Sequence, residues 1–314
     1  MQTIAVVNQK GGCGKTTTAV NLAAALAEQR QRVLLVDLDP QAHATIGLGH
    51  DPDALERTVY DAVTAQDTAL ADVLLATRRE GLHLAPGSIM LAGAEIVLSQ
   101  RPCKEQILGE QLQAVADRFD LCVIDCAPSF GVLTIGALVG CTDVVVPVQA
   151  QYYSLEGLRR VLETVRLIRN RSQSPCAGRV RILLTLVERG TKLSKQIQVQ
   201  IREIFGPLVF DTVIHRNVRL SEAPSAGESV LTYAPQSRGA AEYRAVAAEI
   251  LGGVPCVQPA RGRSARRGMQ KHVATMFEGV WPAEGNGSNG EDQSASHEPD
   301  ESPANRDAAF ISTT

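Results

Sequence analysis

Short apolar runs alternate along this chain with longer stretches of helical periodicity, and no other feature limits its possible folds as much. The runs are largely free of charged residues. Continuous apolar runs of this kind are typical of strands that are buried on both faces of a parallel sheet. We therefore predict strands at Ile4–Val7, Val33–Val36, Leu82–Ala85, Leu121–Ile124, Val144–Val148, Val180–Thr185 and Val209–Ile214.

Helical patterns occupy the intervals between these runs. The repeated order of strand, helix and strand predicts an α/β fold, in which a doubly wound, mainly parallel sheet carries helices on both faces. Ligands of such a sheet bind at the carboxyl ends of its strands. The predicted helices span Lys15–Gln29, Lys104–Asp117, Leu155–Arg169, Leu193–Phe205 and Ala240–Leu251.

Composition excludes several classes of protein. The chain is 44% hydrophobic and 21% charged with a net charge of −3, so any contact with nucleic acid requires a local basic patch. Its seven cysteines include no C-x-x-C pair, which argues against a zinc site or a disulfide framework. The N-terminus lacks the basic region and long apolar stretch of a signal peptide. We therefore expect a cytoplasmic protein.

The composition changes near Gly252, and we predict a folded domain over residues 1–255 followed by a tail over residues 256–314. The tail begins with a basic stretch, residues 261–271, and ends with an acidic stretch rich in Gly, Ser, Asn and Pro that we predict to be disordered. Between them, residues 266–281 form a possible amphipathic helix. Its apolar stripe consists of Met269, Val273, Met276, Phe277 and Val280.

A glycine-rich segment lies between the first predicted strand and the first predicted helix. Residues 10–17 read Lys-Gly-Gly-Cys-Gly-Lys-Thr-Thr. Glycines let successive backbone N–H groups curl around phosphate oxygens, and the helix N-terminus adds its positive dipole. Lys15 supplies a charge for the β- and γ-phosphates, and the Thr16 hydroxyl is a ligand for Mg²⁺. This segment predicts a P-loop NTPase.

The loop departs from the common pattern G-x-x-x-x-G-K-[ST] in one informative way. Gln9 stands in place of the first glycine, and an additional lysine, Lys10, follows it. A second lysine brings more positive charge than one bound nucleotide needs. The presence of Lys10 is explained if its side chain binds the nucleotide of a neighbouring molecule.

Several motifs together resemble the ParA/Soj family of deviant Walker A partitioning ATPases, specifically its short, Soj-like type. The phosphate loop and the Asp-Leu-Asp-Pro-Gln sequence that ends at Gln41 carry the first part of the resemblance. The Asp125 region and the sequence Arg-Asn-Val-Arg from Arg216 carry the rest. The match spans residues 1–252. The stretches are residues 7–18, 33–41, 123–129 and 216–225.

The resemblance implies ATP and Mg²⁺ as cofactors and assigns roles to individual residues. Lys10 reaches across an ATP-bound dimer to the partner's phosphates, Lys15 holds its own nucleotide, and Asp39 positions the attacking water. Thr16, Asp39 and Asp125 surround Mg²⁺, and Thr17 contacts the α-phosphate. The complete set of nucleotide-binding residues implied is Lys10, Gly11, Gly12, Cys13, Gly14, Lys15, Thr16, Thr17, Ile214, Arg216 and Asn217.

The family also implies a function in DNA segregation. Its members dimerise on MgATP, bind DNA non-specifically at the nucleoid, and hydrolyse ATP slowly under the control of a ParB-type partner. The DNA-binding residues that we expect here are Arg189, Lys192 and Arg219.

Two other functions remain open from the sequence. The basic amphipathic stretch at 266–281 is typical of a MinD-like membrane-positioning ATPase, although the acidic residues after it oppose binding to an anionic membrane. Cys122, Cys126 and Cys141 lie near the Asp125 region, as an iron protein of the nitrogenase type would require, or they are small core residues.

Three departures from the family concern the site itself. Cys13 replaces a commoner valine, and it is either an apolar substitute or a thiol whose pKa the nearby lysines lower. Gln151 stands where glutamate is common, and His215 stands where proline is usual.

Overall fold

A computed structural model describes residues 1–151, 154–171 and 179–252 of the chain. Strands and helices alternate along it as the sequence predicts. The strands are β1 (Gln2–Val6), β2 (Val33–Asp37), β3 (Leu75–Ala76), β4 (Leu82–Ala85), β5 (Leu121–Asp125), β6 (Asp143–Gln149) and β7 (Arg179–Thr185). The helices are α1 (Lys15–Glu28), α2 (His43–Gly47), α3 (Val59–Thr64), α4 (Leu91–Ser99), α5 (Ile107–Ala114), α6 (Val132–Gly140), α7 (Ser154–Arg171), α8 (Lys192–Phe205), α9 (Val218–Glu222), α10 (Val230–Tyr233) and α11 (Arg238–Leu251).

The described strands form one sheet in the order β3-β4-β2-β5-β1-β6-β7. Every pairing is parallel except that of β3 with β4, which is antiparallel. The prediction of a mainly parallel sheet is confirmed. The sequence analysis missed β3, because two residues are too few to show a strand pattern.

Apolar cores lie on both faces of the sheet. Ala5 and Val36 belong to one core together with residues of α3 to α8, whereas Ile4 and Val33 belong to the other with residues of α1 and α11. Successive residues of a strand point to opposite faces, so each apolar run supplies both cores. This arrangement is the predicted doubly wound fold.

The predicted strand at Val209–Ile214 is wrong. This segment makes only isolated parallel bridges, Ile182 with Val209 and Val187 with His215. Between the bridges, the Glu249 carboxylate of α11 accepts hydrogen bonds from the backbone N–H groups of Asp211 (3.0 Å) and Thr212 (2.8 Å). The N–H groups of Phe210 and Ile214 donate to carbonyls of β7, but that of Thr212 between them binds Glu249, which interrupts the ladder.

Four of the five predicted helices agree with the structure to within two residues at each end, and the fifth is shorter than predicted. The helix predicted from Lys104 begins at Ile107 and ends at Ala114. Cys103 has a φ of 52°, a left-handed conformation that interrupts a helix just before this point. The sequence analysis also made no prediction of α2, α3, α4, α6, α9 and α10, all of which are nine residues long or shorter.

The carboxyl ends of three strands meet at one edge of the sheet. Val6 at the end of β1 lies opposite Asp125 of β5, and Asp125 lies opposite Asp37 of β2. The glycine-rich loop follows β1 directly. The fold therefore places the loop and two aspartates side by side.

The predictions about the tail, including the amphipathic helix and the acidic stretch, lie outside the described residues. The same holds for the domain boundary at residue 255. Among the described helices, none has the length and apolar character needed to cross a membrane.

We predict that deleting residues 256–314 leaves the fold intact, because both apolar cores described here are built from residues up to Ile250. The melting temperature should change by less than about 2 °C, which corresponds to less than about 1 kcal/mol for a domain of this size. Tyr243→Ala is the control. Tyr243 is buried in α11, and its loss should destabilise the chain by about 3–5 kcal/mol. An insoluble truncated protein would contradict the prediction.

Candidate nucleotide-binding site

The glycine-rich loop has the backbone conformation of a phosphate cradle. Gly12 and Gly14 have φ angles of 69° and 89°, which residues with a side chain rarely adopt. A Cβ atom at Gly11 or Gly12 would meet nothing within 4 Å, so the concave side of the loop is open. Gly14 caps α1, whose first residue is Lys15. The loop therefore presents backbone N–H groups at a helix N-terminus, as phosphate binding requires.

Neighbouring strands hold the loop in place. The Thr185 hydroxyl at the end of β7 donates to the carbonyl of Cys13 (2.7 Å), and the Gln149 amide at the end of β6 donates to the carbonyl of Gly12 (2.6 Å). Gln149 and Thr185 lie opposite each other in the β6–β7 ladder. The sequence analysis missed both residues, because polar strand ends give no signal until the strand order is known.

The two lysines of the loop have opposite environments. Lys15 is buried, and its Nζ donates to the carbonyl of Lys10 (3.2 Å), on the inside of the loop. Lys10 is exposed, and its Nζ donates to the Oε1 atoms of Gln149 (2.9 Å) and Gln151 (2.9 Å). Only Lys15 is placed to serve a nucleotide in its own loop.

Cys13 is a small core residue rather than an activated thiol. Its side chain is buried, and its Sγ lies 3.2 Å from the carbonyl of Lys10. Burial raises the pKa of the thiol, although Lys15 acts in the opposite direction. These observations favour the apolar interpretation, because burial opposes the alternative of a lowered pKa.

Asp125 ends β5 as a buried carboxylate whose burial is only partly compensated. In the part of the chain that the structure describes, neither of its oxygens has a hydrogen-bond partner. Burial is the main cause that raises its pKa well above the usual value, and the negative charge of Asp37 adds to it. Thr16 and Lys15 act in the opposite direction. An orphaned carboxylate beside Thr16 fits a Mg²⁺ site, because a cation removes the cost of the buried charge.

Asp37 is a second buried carboxylate, which the sequence analysis did not select. It accepts hydrogen bonds from the backbone N–H (2.9 Å) and the hydroxyl (2.8 Å) of Thr45. Burial raises its pKa to about 6 despite these bonds. Asp37 therefore has partners where Asp125 has none, and its part is to orient the loop that carries Asp39.

Asp39 is buried between Asp37 and the next turn. Its backbone N–H donates to Oδ1 of Asp37 (3.2 Å), and its own Oδ1 accepts from the N–H of Gln41 (3.0 Å). The second bond is the turn cap that Asp-Pro sequences favour. A carboxylate has two oxygens, so this cap is compatible with a role at the site.

The segment predicted to contact adenine passes the end of β7. Ile214 is buried and bonds to the carbonyl of Leu184 (2.8 Å), while Arg216 is exposed and pairs with Glu188 (3.2 Å). Asn217 caps α9 through a bond from the N–H of Arg219 (2.9 Å). The segment reaches the same edge of the sheet as the phosphate loop.

The three predicted DNA-binding residues are exposed on neighbouring segments. Arg189 and Lys192 flank the turn at Gly190 before α8, and Arg219 lies in α9. The backbone N–H of Arg216 bonds to the carbonyl of Val187 (3.1 Å), so the two segments run side by side. Arg219 is paired with Glu222 (2.7 Å) in the same helix.

The cysteines near Asp125 do not have the exposure that a shared iron–sulfur cluster requires. Cys122, Cys126 and Cys141 are all buried. Burial raises the pKa of Cys122 and of Cys126, which opposes formation of ligating thiolates. The iron-protein alternative finds no support in this geometry, which favours the interpretation as core residues.

A phosphate loop after the first strand of a doubly wound sheet, with Asp125 at the end of the adjacent strand, defines a P-loop nucleotide-binding protein. A family model described as an AAA domain matches residues 1–176. The chain is 47% identical over 247 residues to sporulation initiation inhibitor protein Soj of Bacillus subtilis, covering 79% of this chain and 97% of that protein. It is 39% identical over 248 residues to chromosome partitioning protein ParA of Myxococcus xanthus, covering 79% and 87%. The chain belongs to the Soj/ParA family of partitioning ATPases, as the sequence motifs indicated.

Solved structures share the fold. One is cobyrinic acid a,c-diamide synthase of Mycobacterium smegmatis with a bound ATP analogue and magnesium, with a TM-score of 0.70, 35% identity, and coverage of 80% of this chain and 94% of that one. Its ligands agree with the expected ATP and Mg²⁺. The cell division ATPase MinD of Pyrococcus furiosus, with a TM-score of 0.66, 23% identity, and coverage of 80% and 98%, shows the fold alone.

We predict that Asp125→Asn stabilises the nucleotide-free protein increasingly as pH rises. The native pKa of Asp125 is raised, so wild-type stability decreases as pH increases above about 4, where the unfolded carboxyl ionises. Asparagine carries no charge and avoids this loss. The gap in unfolding free energy should grow by up to about 1.4 kcal/mol per pH unit between about pH 4 and 7.

Urea unfolding in EDTA across this pH range measures the gap. Asp67→Asn removes an exposed carboxylate and is the matched control, for which no growing gap is expected. A gap for Asp125→Asn that stays constant with pH would show that this carboxylate is already compensated in the native state.

Proposed function

We propose that this chain is a DNA-partitioning ATPase that dimerises on MgATP, binds DNA without sequence preference and hydrolyses ATP under the control of a ParB-type partner. The proposal rests on the different exposure of the two loop lysines. Lys15 is buried inside its own loop, whereas Lys10 is exposed at its rim. An exposed lysine at a phosphate site is explained by a second molecule whose nucleotide it reaches.

The site residues have different roles in the binding and hydrolysis of MgATP. Backbone N–H groups of residues 10–17 and the Lys15 ammonium bind the phosphates, and Ile214, Arg216 and Asn217 border the base. Thr16 and Asp125 hold Mg²⁺, which neutralises phosphate charge. Asp39 positions the attacking water with the carboxylate oxygen that does not cap the turn. The ATP analogue and magnesium bound in the 35% identical structure support MgATP as the ligand.

The DNA surface that we propose is formed by Arg189, Lys192 and Arg219. All three are exposed, and the hydrogen bond between Arg216 and Val187 brings their segments together. One molecule offers few basic contacts, while a dimer doubles them. Phosphate contacts act without sequence preference, so DNA binding should depend on ATP and on salt. The chain would then associate with the nucleoid.

The names of the relatives support partition over the alternatives. Soj of Bacillus subtilis and the chromosome partitioning protein ParA of Myxococcus xanthus are 47% and 39% identical, whereas the structure named for cobyrinic acid diamide synthesis is 35% identical. The MinD-like alternative has a neighbour at 23% identity only, and the basic stretch that suggested it lies outside the described residues.

Parallel binding measurements with DNA and with anionic liposomes separate these functions. Non-specific duplex DNA and phosphatidylglycerol vesicles should each be tested with ATP, with ADP and without nucleotide. The proposal expects binding to DNA with ATP only. Binding to vesicles but not to DNA would support the MinD-like alternative instead.

Substituting the two lysines should separate nucleotide binding from dimerisation. Lys15→Ala should lower ATP affinity at least about tenfold, since it removes a charge from a buried phosphate site. Lys10→Ala should bind ATP normally and remain monomeric. Titration with a fluorescent ATP analogue and sedimentation velocity measure the two effects, with Lys104→Ala as the control for loss of a lysine elsewhere. If Lys10→Ala dimerises like the wild type, Lys10 does not act across the dimer.

Arg219→Ala should weaken ATP-dependent DNA binding at every sequence and reduce the salt slope by about one. ATP affinity should not change. Arg32→Ala is a matched control, because Arg32 is also exposed and forms an ion pair of the same length, 2.7 Å, with Asp120 before β5. Fluorescence anisotropy across a salt titration measures the slope. An unchanged slope for Arg219→Ala would place the DNA surface elsewhere.

A further inference from the structure

Lys10 is tied to the end of β6 by its main chain and its side chain. Its backbone N–H donates to Oδ1 of Asn8 (3.0 Å), and the Asn8 amide donates to the carbonyl of Pro147 in β6 (2.7 Å). Its ammonium donates to the Oε1 atoms of Gln149 and Gln151, each at 2.9 Å. An ammonium has three donors, so these amides occupy two of them.

One of the two acceptors, Gln149, is anchored in the sheet. Gln149 is the last residue of β6, which pairs with β1 and β7. Its amide nitrogen also donates to the carbonyl of Gly12 (2.6 Å), so one side chain bridges the loop and the lysine. Extension of the Lys10 side chain away from the sheet, towards a neighbouring molecule, breaks these hydrogen bonds to the amides.

We propose that Gln149 and Gln151 are positioning residues that tether Lys10 in the nucleotide-free monomer, and that release of this tether is a step of ATP-dependent dimerisation. The inference rests on the proposed action of Lys10 across the dimer. Gln151 sets the strength of the tether. Its amide is neutral, so it holds the ammonium by a hydrogen bond alone, whereas a carboxylate at the same position would add a charge–charge attraction.

Substitution at residue 151 therefore tunes the tether in both directions. Gln151→Glu strengthens it, and Gln151→Leu removes one acceptor while keeping a side chain of similar size. An exposed ion pair changes an equilibrium by about twofold to fivefold. Each dimer releases two tethers, so the dimer dissociation constant should change by the square of that factor. Gln113→Glu makes the same charge change on the exposed side of α5 and is the control.

The tether itself is measured without nucleotide. Acylation of Lys10 by an N-hydroxysuccinimide ester, followed by peptide mass spectrometry, reports how free its ammonium is, with Lys192 in the same sample as the reference. The reaction should be about twofold to fivefold slower in Gln151→Glu and faster in Gln151→Leu than in the wild type. Equal rates in the three proteins would overturn the tether.

The effect of the tether on dimerisation is measured by sedimentation velocity with ATP at several protein concentrations. Gln151→Glu should need more protein to dimerise and Gln151→Leu less, while ADP affinity and melting temperature remain as in the wild type. Equal dimerisation of all variants, in spite of different acylation rates, would overturn the role of release in dimerisation. If the acylation rates differ as expected but the wild type does not dimerise with ATP, the tether stands and the proposed function fails.

Discussion

The structure depends on a cluster of negative charge that the sheet places out of contact with water. Asp37 and Asp125 lie opposite each other on neighbouring strands, and burial raises the pKa of both. Thr45 supplies hydrogen bonds to Asp37, but no described residue does so for Asp125. Two buried carboxylates are costly unless positive charge accompanies them. Lys15, the buried lysine at the start of α1, supplies one such positive charge. In the proposed function, Mg²⁺ supplies the other.

The phosphate loop obtains its conformation from strands that are distant in sequence. Gln149 and Thr185 bind successive carbonyls of the loop, and they belong to the half of the sheet beyond β1. The same half carries the Val187 and Arg216 contact that orders the proposed DNA segments. The phosphate loop and the basic segments are therefore supported by the same part of the sheet.

Periodicity found the longest helices, but not α4 and α6, which at nine residues each are longer than the predicted α5. Six of the predicted strands exist, because the interior of a parallel sheet accepts only apolar runs. The segment from Val209 has the same apolar character, but Glu249 binds the N–H groups of Asp211 and Thr212, so the hydrogen bonds of the segment to β7 are interrupted. Helices as short as α2 and α9 consist of only one or two turns, so their sequences are too short to show a period.

The sequence by itself determined the α/β class, the loop between the first strand and the first helix, and the positions of Lys10, Lys15, Asp39 and Asp125. These depend on local requirements, since a phosphate loop needs glycines in sequence and a buried strand needs consecutive apolar residues. Only the tertiary structure decided that Asp37 faces Asp125, that Cys13 is a core residue, and that Gln149 and Gln151 hold Lys10. Those contacts join residues that are far apart in the chain, and strand order, which no local pattern encodes, brings them together.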